Sequence, residues 1–121
     1  MWIYSQHSGE LSFEGKLVSA GYSGAGQGKN NSADQFIEDV GPIPQGMWII
    51  SGPPIDTAKH GPYVLTLTPA TGTITHGRAG FLMHGDSVEH PGAASEGCII
   101  MPRAIRELVW ESGDRQLQVG L

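Results

Sequence analysis

The segment Cys98-Ile99-Ile100-Met101-Pro102-Arg103-Ala104-Ile105-Arg106-Glu107-Leu108-Val109-Trp110-Glu111-Ser112-Gly113 changes its hydrophobic period in the middle, and that change decides the fold class. Cys98 to Met101 is a short apolar run of the strand type. From Pro102 onward the apolar residues Ile105, Leu108 and Val109 fall at i, i+3 and i+4, with Arg103 and Glu107 four apart on the other side. Pro102 suits a first helical turn and Gly113 a C-terminal stop. The spacing therefore predicts a helix over Pro102 to Glu111, directly after the cysteine strand.

No other segment has a convincing helical period. Trp2 to Gln6, Leu11 to Phe13, Lys16 to Ala20, Met47 to Ser51, Tyr63 to Thr68, Phe81 to His84 and Gln116 to Val119 are short apolar or alternating runs and read as strands. The turn-type segments His7-Ser8-Gly9-Glu10 and Glu14-Gly15 make an opening β-meander of the first three. The expected fold is mainly β, with short strands and one helix after the cysteine strand. Gly21 to Gly41 has five glycines and little periodicity; it reads as an extended loop and a candidate wall or lid of a site.

The 121 residues suit a single domain spanning 1–121 with one core. Eighteen glycines and eight prolines agree with many turns. Seven basic against twelve acidic side chains give a net charge of −5, which offers no footprint for nucleic acid. No stretch approaches the ~20 apolar residues of a membrane span. The opening Met1-Trp2-Ile3-Tyr4-Ser5-Gln6-His7 lacks the basic and apolar regions of a signal peptide, so no Sec-type route is expected.

Cys98 is the single cysteine, so it forms no internal disulfide and supplies no paired thiolates to a structural zinc site. It is either a small buried hydrophobe or a reactive thiol. The run Phe81-Leu82-Met83-His84-Gly85-Asp86 ends a strand on an imidazole, and Ser95-Glu96-Gly97-Cys98 leads into the next. A thiolate is the reactive form of cysteine, and an imidazole beside it both assists its formation and returns a proton to a leaving amine. Gly97 permits backbone conformations that bring amide N–H groups to an oxyanion. All five histidines precede Cys98, which disfavours the papain-like and NlpC/P60-like peptidases, where the histidine follows the cysteine. His60, His76 and His90 show no tight metal-ligand spacing, and neither a metal nor another cofactor is expected.

At these positions the chain resembles the YkuD-type L,D-transpeptidases, marked by a histidine followed by Ser/Thr-His-Gly-Cys. It departs from them at Glu96, where the family has a second histidine, at Ile100, where it has an arginine, and in a shorter interval between His84 and Cys98. It is more similar to the Tlde1-type branch, which includes type VI secretion effectors. That likeness runs through Gly21-Tyr22-Ser23-Gly24, Lys29-Asn30-Asn31, Gly41-Pro42-Ile43-Pro44-Gln45-Gly46, Gly77-Arg78-Ala79-Gly80-Phe81, His84-Gly85-Asp86 and Ala94-Ser95-Glu96-Gly97-Cys98.

The resemblance implies a YkuD-like β-sandwich or barrel that acts on peptidoglycan stem peptides, at the bond after the L-centre of diaminopimelate. Cys98 would attack, amides near Gly97 would hold the oxyanion, and His84 would protonate the departing D-alanine. It further implies substrate contacts at Arg78, Ser95, Gly85, Asn31 and Tyr22. Arg78 is a candidate fork for a carboxylate. Asp86 is a candidate to orient His84 or to hold a substrate ammonium, with a turn cap as its other reading. Ser95 also reads as a turn-shaping side chain. A toxin made in the cytoplasm, delivered to a target-cell periplasm by a secretion system and met by a cognate immunity protein is the expectation. A non-catalytic peptidoglycan-binding module on the same scaffold is the alternative.

Overall fold

The computed structural model describes residues 1–121. Nine strands form one sheet: β1 (Trp2–Ser5), β2 (Glu10–Phe13), β3 (Lys16–Ala20), β4 (Tyr22–Ser23), β5 (Gly46–Thr57), β6 (Gly61–Pro69), β7 (Leu82–His84), β8 (Ile99–Ile100) and β9 (Gln116–Gly120). The single α-helix, α1, spans Arg103–Glu111. The pairing order is β3-β2-β1-β9-β5-β6-β7-β8-β4, antiparallel except for β1 with β9 and β7 with β8. Its two end strands, β3 and β4, are separated in the chain by Gly21 alone, so the sheet curls round until its edges meet. Gly21 has to be glycine there, because a Cβ would collide with the Ile100 carbonyl across the seam. The result is mainly β and barrel-like, as expected.

Alternation builds the core. In β1, β5 and β9 the inward residues Trp2, Tyr4, Trp48, Ile50, Leu117 and Val119 are buried, while Ile3, Met47 and Ile49 face outward. Trp2 and Trp48 both stand in register with Leu117, which stacks three buried side chains across three strands. Burying each such side chain is worth about 1.5–3 kcal/mol. Two features depart from the sequence reading. β5 continues past Ser51 through Gly52-Pro53-Pro54 to Thr57, with a register shift between Ser51 and Ile55 where the prolines cannot donate to the ladder. The Gly-rich segment contributes β4, which pairs with β8, followed by two short 3-10 turns at Gly26–Gly28 and Ser32–Asp34.

The helix begins one residue after Pro102 and is followed by Gly113 at φ +76°. Ile105 and Val109 face the core as their spacing indicates, but the inward face is rotated toward Arg106. Arg106 and Val109 are buried, whereas Leu108 is 48% exposed.

Candidate active site

The end of β7 and the start of β8 position the two candidate side chains, His84 and Cys98. The strands pair in parallel with Met83 opposite Ile99 and His84 opposite Ile100, and Cys98 enters β8 one residue earlier. Met83 and Ile99 are buried in the core. The alternation of the strands turns His84 and Cys98 the other way, and both line one cleft of about 660 Å³. That size suits a small ligand or a peptide segment.

His84 is nearly buried, and its Nδ1 lies 2.9 Å from the carbonyl oxygen of Gly85. A carbonyl only accepts, so Nδ1 carries the hydrogen and the neutral ring keeps Nε2 as its basic nitrogen. Burial pulls His84 down to about 4, against the Gly85 hydrogen bond and helped by the nearby His60 and Arg106. The ring of His60 lies on that of His84, with centroids 4.2 Å apart and planes 35° apart. Cys98 is buried, and its thiol points to the Gly80 carbonyl at 3.8 Å. Burial pushes the thiol up and the Glu96 charge adds to this, against the Leu82 N–H, Lys59 and Arg78. The resting pair is thus a neutral thiol and a neutral imidazole, without the thiolate that sequence reasoning associates with a reactive cysteine.

The positions expected to surround this pair divide. Gly97, Gly85, Asp86 and Arg78 line the cleft; Ser95, Asn31 and Tyr22 do not. Ser95 is buried and shapes the turn: its Oγ accepts from the Gly24 and Gly97 N–H groups and donates to the Cys98 carbonyl. The Gly97 amide is therefore already engaged and is not a free oxyanion donor. Gly97 sits at φ +135°, and a Cβ there would strike the Arg78 guanidinium.

Asp86 does not hold the imidazole. It accepts from Tyr22 Oη at 2.5 Å and from the Ser87 and Gly92 N–H groups, so it ties down the loop after His84. Burial opposes its ionisation, but these donors outweigh that and keep its carboxyl below the usual range. Tyr22 spans from Asp86 to the Ala94 N–H, and burial with the adjoining carboxylate raises its hydroxyl to about 12. Asn31 caps the 3-10 turn that follows it, accepting from Ala33 N–H.

The expectation for Arg78 is overturned. The side chain is 6% exposed, Nη1 donates to the carbonyls of Gln35 and Pro42, and Nη2 donates to that of Gly41. Its fork is occupied by backbone and pins the far end of the long loop, where Glu38 and Asp39 wall the cleft. Sequence reasoning missed His60, Lys59 and Arg106 as cleft residues. For the first two the only signal was their turn position between β5 and β6.

Fold and cleft together define a curled, mainly β domain that presents a thiol and an imidazole from adjacent parallel strands. The chain belongs to the Tlde1 domain family, whose model matches residues 18–119. That family is one of type VI secretion effectors, which is consistent with a toxin. None of the curated proteins matches the chain.

Proposed function

We propose that this chain is an L,D-transpeptidase-like cysteine enzyme that removes or exchanges the terminal D-alanine of peptidoglycan tetrapeptide stems, and acts as an antibacterial toxin in the target-cell periplasm. The observation that carries this reading is the placement of Cys98 and His84 on neighbouring parallel strands, both opening into one cleft.

Because both groups rest neutral, attack and proton transfer are coupled. The Cys98 sulfur bonds to the carbonyl carbon of the L-centre while its proton passes to His84 Nε2. The Cys98 N–H, which has no partner within the chain, is the available oxyanion donor. Collapse breaks the C–N bond, and the imidazolium returns its proton to the departing nitrogen, leaving a thioester and free D-alanine. Water then attacks the thioester, giving its proton to Nε2, and the sulfur leaves and is reprotonated. A free D-amino acid in place of water gives exchange. A protein that plugs the cleft would serve as the immunity partner.

One observation favours the binding-module reading: the thiol points to Gly80 rather than to His84, and burial raises it. Mass spectrometry of disaccharide-tetrapeptide incubated with the protein decides between them. Loss of one D-alanine per stem is the expected result; unchanged muropeptide that co-migrates with the protein would establish binding without chemistry.

A further inference from the structure

Arg106 is the one charged side chain that α1 buries, at 4% exposure, and the apolar period of the helix gives no hint of it. Nη1 donates to the carbonyls of Pro62 at 3.1 Å and Tyr63 at 3.0 Å, which fixes the side chain against the start of β6. Nε is enclosed and has no partner. Nη2 makes no hydrogen bond within the chain and packs so closely on Gly85 that an added Cβ would lie 3.1 Å from it. Both Arg106 and Gly85 line the cleft. No carboxylate pairs with this guanidinium: the ion pairs of the chain are the N-terminus with Asp114, and Arg103 with Glu107. A buried cation left without an anion is costly, and Nη2, the terminal nitrogen left without a partner at the cleft, is the donor that a carboxylate can take.

We infer that Arg106 is the carboxylate-binding residue of the cleft and that it takes the terminal carboxylate of the leaving D-amino acid. This rests on the activity proposed above. The direction follows from the order of groups along the cleft. Arg106 lies against Gly85, the residue next to the base His84, and its charge acts on His84, whereas Glu38 and Asp39 act on Arg78, whose charge is felt by Cys98. His84 protonates the amine of the leaving amino acid, and the carboxylate of that amino acid is attached one carbon away. A cation beside the base is therefore placed for that carboxylate. The same contact admits a free D-amino acid as acceptor and rejects donors whose end is neutral.

The test compares two disaccharide-tetrapeptides, one ending in D-alanine and one in D-alaninamide, by the rate of release from each. Wild type should favour the acid by about 100-fold or more in kcat/KM, since a site built for a polar group discriminates strongly against its absence. Arg106→Lys, checked for folding by its melting transition, should lose at least about tenfold on the acid and compress the preference to less than about tenfold. If that variant does not fold, the wild-type comparison alone decides. Equal release of both groups by wild type would leave the enzyme standing and overturn the Arg106 assignment. Release of neither would overturn the activity and the inference together.

Discussion

Two buried arginines flank the cleft, and they differ in what their guanidinium groups touch. Arg78 reaches the Gln35, Gly41 and Pro42 carbonyls and holds the long loop against the cysteine turn. Arg106 uses only Nη1, on Pro62 and Tyr63, and leaves Nε and Nη2 without partners beside Gly85. Similar burial thus describes two different roles. A guanidinium with both terminal nitrogens engaged by backbone is part of the scaffold, and one with a terminal nitrogen left over at a cleft is the one we assign to an anion.

The largest expected effect tests the scaffold side. Arg78→Ala leaves several buried carbonyls without donors and should lower stability by about 3–5 kcal/mol in urea denaturation. Arg106→Lys should cost no more than about 1–2 kcal/mol while damaging turnover, and the reverse ranking would break the comparison. Next, Gly97→Ala places a Cβ on the Arg78 guanidinium at a positive φ and should cost about 2–4 kcal/mol by the same measurement.

A smaller effect concerns pH. His84 titrates near 4 in the folded protein, against about 6.5 unfolded, so the unfolded state binds more protons between these values. The stability that the neutral ring allows is present above pH 6.5 and is lost as pH falls from 6.5 to 4. The difference between wild-type and His84→Gln melting temperatures should change across that window and stay level above it. The acid limb of kcat/KM should also lie near pH 4, and Arg106→Gln should move it upward by removing a cation that lowers His84. The smallest effect is Tyr22→Phe, which removes the hydrogen bond to Asp86 and should cost about 1 kcal/mol.

Strands and helix were legible in the sequence because their apolar residues keep a period of two or of 3.6, as Trp2-Ile3-Tyr4 and Ile105 to Val109 do. β4 was not, since two residues inside a Gly-rich run have no period; only their pairing with Ile99 and Ile100 makes them a strand. His84 and Cys98 could be singled out by residue type and strand position. The roles around them could not, because Arg78, Asp86 and Ser95 take much of their meaning from partners 36 to 71 residues away. Arg106 was hidden for a further reason: an arginine on an amphipathic helix reads as solvated, and nothing local shows that it turns inward.

The central claim is that Cys98 is the nucleophile, and one measurement addresses it directly: D-alanine released from disaccharide-tetrapeptide by wild type and by Cys98→Ala, with folding of both confirmed by near-ultraviolet circular dichroism. The account predicts release by wild type and none above background from the variant. Release by a folded Cys98→Ala protein at the wild-type rate would contradict it.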